Sequence, residues 1–285
     1  MVPQGKRGKA MSARPRSPQE RGGFALLSLY AVLIYLFLYL PIAVIVLFAF
    51  DAKPIPGLPL DTLTTGWFVE ALRDQKLTGS LLTSLRLAVV SAILSTLLAM
   101  PAAMVLAWLP IRFKSLVMAM VLGPVVLPQL VLGLGLVILL RSAPDLVGEP
   151  AIILAHTTIT SSYATLILYS RFLGFRRSYI EAAMNLGASE LVVFREVILP
   201  LVRPALISVF MLAFTDAFGE FVVAWFVAGF TETLPITIWT SLRQVISPKV
   251  YALSSVIILV TLAISLVSQL WVIRQTRLTS KVQTS

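Results

Sequence analysis

Two carboxylates, Asp216 and Glu220, stand in an otherwise apolar stretch, four residues apart and so on one face of the helix it should form. A carboxylate at membrane depth is costly and marks a candidate path for a cation, a proton or a polar solute. Thr215 adds a hydroxyl beside them, and His156 sits among hydroxyls in another apolar stretch. These four residues are the candidates for meeting a transported solute. Each also has a plainer reading: an inter-helix hydrogen bond for the acids, a hydrogen-bonded packing role for His156. Trp225 and Trp239 read as packing residues or interface anchors. The chain has one histidine and no cysteine. That excludes a histidine-based metal cluster and all thiolate or disulfide chemistry, and the scattered acids form no constellation for a membrane-embedded enzyme.

The second informative stretch is polar, residues 176–200, lying between two apolar runs. Arg176, Arg177 and Ser178 lead into a run of helix formers with Glu181 in its first turn, where a carboxylate favours the helix N-terminus. Ala182 and Ala183 are small enough for another surface to approach closely. Gly187 permits the left-handed conformation that ends a helix and re-aims the chain. A second short helix is expected from about Ser189 to Val197, with Leu199-Pro200 stopping it. The spacing predicts a helix–turn–helix elbow built for a protein partner.

The elements that must position these residues are apolar helices. The sequence is 58% hydrophobic and 13% charged, against about 45–50% and 25% in soluble domains. Six apolar runs, at residues 24–50, 81–108, 116–140, 151–173, 201–229 and 250–273, are each long enough to cross a bilayer as helix. The fourth is diluted by Thr157, Thr158, Thr160, Ser161 and Ser162, which suits a helix facing other helices. Pro41, Pro101, Pro124 and Pro128 are tolerated within spans as kinks, and Gly133 and Gly135 read as close-contact points. The first run is too long for a signal peptide and is expected to be a retained span. Residues 1–23 form a basic tail expected to be disordered, and residues 274–285 a short C-terminal tail. Trp67 to Leu72 reads as a short amphipathic interfacial helix.

The net charge of +10 is a topology signal. Of the lysines and arginines, 16 lie in the two tails, the second-to-third connection and the fourth-to-fifth loop from Arg171 to Arg203, and 6 on the other side; Arg86 lies within a span. The positive-inside rule places both termini and the Glu181 loop in the cytoplasm. No nucleic-acid reader motif accompanies the charge, so nucleic-acid binding is not expected.

The pattern Glu181-Ala182-Ala183, Gly187, Val197, Leu199-Pro200 resembles the signature of binding-protein-dependent ATP-binding-cassette (ABC) importer permeases, with Val197 where the family usually has isoleucine. The resemblance runs from about Tyr30 to Ile273. Four segments make it closest to the spermidine/putrescine-type subgroup: Leu154-Ala155-His156-Thr157, Leu212-Ala213-Phe214-Thr215, Phe226-Val227-Ala228-Gly229 and Thr233-Leu234-Pro235. It implies an all-α polytopic bundle of six transmembrane helices in the inner membrane, with the elbow as the coupling helix. It also implies partners: cytoplasmic ATPase subunits, a second homologous permease and an external solute-binding protein. ATP and Mg would be bound by the ATPase; this sequence has no phosphate-binding loop, so no catalytic residue or cofactor is expected in it. One departure bears on the cargo. Gly219-Glu220 stands where polyamine-type permeases carry two adjacent acids, and Gln129 where some relatives carry one. A polyamine is the first expectation, and fewer fixed charges would also suit a monocation, a zwitterion or a neutral solute. An ion- or proton-coupled secondary transporter using Asp216 and Glu220 is the alternative, without the internal repeats that would favour it.

Overall fold

The computed structural model describes residues 18–244 and 247–263, together with residue 266. Its helices are α1 (Pro18–Phe48), α2 (Gly66–Arg73), α3 (Gln75–Trp108), α4 (Lys114–Val126), α5 (Gln129–Leu140), α6 (Glu149–Leu173), α7 (Ser178–Asn185), α8 (Glu190–Gly219), α9 (Val222–Val227), α10 (Leu234–Gln244) and α11 (Pro248–Ala263). Extended pairing among the described residues is limited to one bridge between Asp51 and Leu63.

Four helices are long and apolar enough to cross a membrane, and five if α4 and α5 count as one broken span. The six-span expectation is therefore met in part. The third run is not one kinked helix: α4 and α5 meet at 99°, because Leu127 and Pro128 are both extended. The fifth run does not continue to Gly229; α8 ends at Gly219. Of the sixth run, the helix is described to Ala263, and the rest, like the C-terminal tail, lies outside the described residues. The first helix starts at Pro18, inside the segment expected to be a disordered tail.

The centre is the pairing of α3 with α6. Ser84, Ala88, Ser91, Ser95, Ala99 and Ala103 recur every three or four residues along α3, and all are buried. Small side chains at that spacing let two backbones approach closely. Across the seam the Ser95 and Thr160 hydroxyls bond to each other, and Thr160 Oγ1 also donates to the His156 carbonyl at 2.7 Å. Thr157, Thr160 and Ser162 are buried as the hydroxyl-rich run predicted, while Thr158 points outward. Gly133 of α5 does pack closely: a Cβ there would come within 2.6 Å of the Phe226 ring on α9. Gly135 faces open space. Arg86, the charge inside a span, pairs with Glu149 in the first turn of α6.

By contrast, α1 stands off the bundle. None of its apolar window is buried, and it joins the rest at its end, where Phe48 meets Tyr251 edge-on at 6.0 Å. The segment after it is knotted around Asp51, which is fully buried. Backbone N–H groups of Lys53, Gly57 and Asp61 donate to the Asp51 carboxylate at 3.3, 3.3 and 3.2 Å, and the Trp67 indole donates to its carbonyl at 2.8 Å. Burial alone would raise the Asp51 pKa. The three N–H donors and the Lys53 ammonium outweigh that and hold it below its ordinary 3.8. A lowered carboxylate pKa stabilises fully above the unfolded value, and the stabilisation is lost as pH falls through the folded value. The knot is therefore expected to keep its amide protection down to about pH 4 and to open under stronger acid, which hydrogen exchange at Gly57 and Asp61 measures.

Candidate functional site

The two acids of the fifth run have separate fates, because α8 ends between them. Glu220 is extended and turns back over the next helix. Its Oε1 accepts from the Val223 N–H at 2.8 Å, and its Oε2 from the Ala224 N–H at 3.0 Å, so it caps the first turn of α9. His156 Nε2 donates to the same Oε2 at 3.2 Å, with both side chains buried. This bond requires the Nε2–H form of the imidazole; Nδ1 is buried and has no partner. Glu220 and His156 thus form the inter-helix bond that was the plainer reading for each, and they fasten α9 to α6.

Asp216, one turn earlier, is half-buried and makes no hydrogen bond or ion pair among the described residues. It faces an open cleft of about 450 Å³, lined also by Gln129, Thr215, Gly219, Phe221 and the capping Glu220. Thr215 borders the cleft, but its hydroxyl donates to the Met211 carbonyl at 2.9 Å and offers a solute only acceptor capacity. His156 lies behind Glu220 and is not part of the wall. Phe221 meets Trp225 and Trp239 at ring-centroid distances of 5.7 and 5.5 Å, and the Arg243 guanidinium sits 5.1 Å from the Trp239 ring. The two tryptophans are thus packing residues that hold an aromatic wall in place. A carboxylate beside an aromatic face is a setting for a cation. Phe221 was not among the sequence candidates, and Gln129 was singled out only as the place where some relatives carry an acid. The break at Pro128, which brings the start of α5 to the cleft, was the available signal.

At the opposite end of α6 lies the elbow. Glu181 is in the first turn of α7, exposed with Ala182, while Ala183 is half-buried. Gly187 has φ +86°; its N–H donates to the Met184 carbonyl at 2.9 Å and the Ala188 N–H to the Ala183 carbonyl at 3.1 Å. This pair of bonds is a Schellman motif, and it needs a left-handed residue at Gly187. Leu186 at the tip is 90% exposed and Leu191 beyond it 74% exposed, so the turn presents apolar side chains outward. Leu199 is half-buried and Pro200 exposed.

The second helix of the elbow does not stop at Pro200. It runs on through a π-helical segment, Phe194–Ile198, into the membrane-length helix ending at Gly219. The Leu199 N–H reaches back five residues to the Phe194 carbonyl. That wider turn accommodates the proline, whose ring would collide with the carbonyl four residues back in a regular helix.

Residues 97–277 match the family described as binding-protein-dependent transport system inner membrane component. The chain is 32% identical to the spermidine/putrescine transport system permease protein PotC of Haemophilus influenzae, over 87% of this chain and 96% of that protein. It is 34% identical to the putrescine transport system permease protein PotI of Escherichia coli K12, over 79% of this chain and 82% of that protein. Its fold matches a chain of a bacterial ABC transporter involved in the import of the acidic polysaccharide alginate, with a TM-score of 0.72 and 16% identity over 90% of this chain and 99% of that one.

Proposed function

This chain belongs to the family of binding-protein-dependent transport system inner membrane components and is the permease component of an ABC importer, for which we propose a small amine, first of all a polyamine, as cargo. It is a multi-pass inner-membrane subunit and not itself an enzyme. The relatedness to PotC and PotI supports the cargo class. Within the chain, the supporting observation is Asp216, a carboxylate with no partner among the described residues, in an open cleft that Phe221 and Glu220 also line. A cleft open on one side fits half of a path, the other half coming from a second, homologous permease.

The elbow is the contact for the ATPase. Its two helices leave Glu181, Ala182 and Leu186 exposed, the arrangement a partner groove needs: a small-residue face, an apolar tip and a carboxylate. Glu181, Ala182, Ala183 and Gly187 make this contact, while Leu199 and Pro200 lead it into α8. ATP and Mg are bound by that ATPase, and an external binding protein delivers the solute. The charge asymmetry supports a cytoplasmic side for the elbow and both termini. Solute and nucleotide each bias one reorientation of the helices, as linkage requires.

The test is uptake into proteoliposomes holding this chain with its sister permease, ATPase and binding protein. Labelled putrescine or spermidine is expected to accumulate only with ATP inside the compartment that the elbow faces. Uptake driven by a proton or sodium gradient without ATP would overturn the reading.

A further inference from the structure

The elbow is welded to one transmembrane helix in particular. Trp108, the last residue of α3, makes four contacts with the region that leads into α7. Its indole N–H donates to the Phe172 carbonyl at 3.2 Å, and its own carbonyl accepts from the Arg177 guanidinium at 2.8 Å. Its ring meets Phe172 edge-on at 5.2 Å and Phe175 at 5.6 Å. Phe175 in turn meets Tyr179, on α7 itself, at 6.3 Å. Ile180 and Ala183 of α7 pack on the same apolar cluster, which includes Ala99 and Ala103 of α3, Leu168 and Phe172 of α6, and Ile198 and Val202 of α8.

The two helices behind this ladder are joined along their length by the small-residue seam and by the Ser95–Thr160 bond. The connection from the elbow to α8 differs in kind: it is a continuous helix that runs through the π-helical segment. A push on α7 therefore reaches α3 and α6 through an aromatic-packed side-chain joint and α8 through the backbone itself. We infer that Trp108 is the joint that delivers elbow displacement to α3 and α6, which move as one body, so that Trp108 sets how much transport each ATP yields. Trp108 is a positioning residue here and touches neither nucleotide nor solute. The inference rests on the elbow being the ATPase contact.

The test compares wild type, Trp108→Ala and Trp108→Phe in the full reconstituted complex, measuring complex recovery, ATP hydrolysis and uptake per ATP. Trp108→Ala is expected to keep recovery and hydrolysis within about twofold while uptake per ATP falls about tenfold or more, in the range of coupling free energies. Trp108→Phe keeps a ring but loses the indole donor, and is expected to fall between; it carries the test if the alanine variant does not fold. Unchanged uptake per ATP would overturn the inference. So would loss of recovery in parallel with hydrolysis, which would place Trp108 in the docking surface. Failure of the elbow reading shows separately, as wild-type recovery and ATP-driven uptake from Gly187→Pro.

Discussion

Gly187→Pro is expected to abolish ATP-driven uptake, by at least about a hundredfold, while leaving the helical bundle folded. The residue holds φ at +86°, and proline is fixed near −65°. Proline also removes the N–H that donates to Met184, so the Schellman turn loses both its backbone geometry and one of its two bonds. The helix α7 and its apolar tip at Leu186 would then leave the chain in another direction. Nothing lies within 4 Å of the space a Cβ would occupy at this glycine, so the effect stays local and the core cluster beneath α7 is not displaced. The graded control is Gly187→Ala. It meets no steric obstacle except its own left-handed conformation, at about 1–2 kcal/mol, and should retain most of the ATPase in co-purification. Co-purification and ATP-driven uptake measured on the same preparations decide the matter. Wild-type recovery and uptake from Gly187→Pro would remove the elbow from the docking contact.

The second large effect concerns Asp216. Asp216→Asn keeps size and polarity but removes the charge that meets a cationic cargo. KM for uptake is expected to rise about 10–100-fold, or about 1.4–2.7 kcal/mol, with ATP hydrolysis preserved. Glu220→Gln separates the two acids: it can still accept one of the N–H bonds of α9, but it weakens the pairing with His156. Its expected signature is lowered thermal stability, by about 1–3 kcal/mol for a buried bond to a charged group, with KM little changed. The reverse pattern, Asp216→Asn silent and Glu220→Gln raising KM at unchanged stability, would shift solute recognition in the cleft from Asp216 to Glu220.

The sequence reported helices wherever an apolar run was long, and α1, α3, α6 and α8 follow from that. It was less informative about prolines. Pro128 and Pro200 both look like stops or kinks, yet one sits in a 99° break and the other is passed by a continuous helix. The difference is tertiary: α5 lands on α9 through Gly133 and Phe226, whereas a π turn upstream takes up Pro200. The site was half legible for a similar reason. Asp216 and Glu220 share a face only if their helix continues, and it ends at Gly219 between them. Glu220 finds its partner His156 across 64 positions of sequence, a pairing no local spacing encodes. The elbow was the most legible part, since glycine chemistry, capping and exposed small residues are all local.

The π segment has a consequence for the distance between the two ends of the molecule. Each α-helical residue turns the chain by about 100°, so a single extra residue in a turn acts as a fixed rotation of everything after it. Asp216 comes after it on the same continuous helix, Glu190–Gly219. The direction in which that carboxylate points is therefore clocked from Glu190, where the helix begins, like a hand geared to a dial at the other end of the shaft. The number of residues from Glu190 to Leu199-Pro200 is in this sense an angular setting: it orients the solute cleft, not only the elbow that carries it.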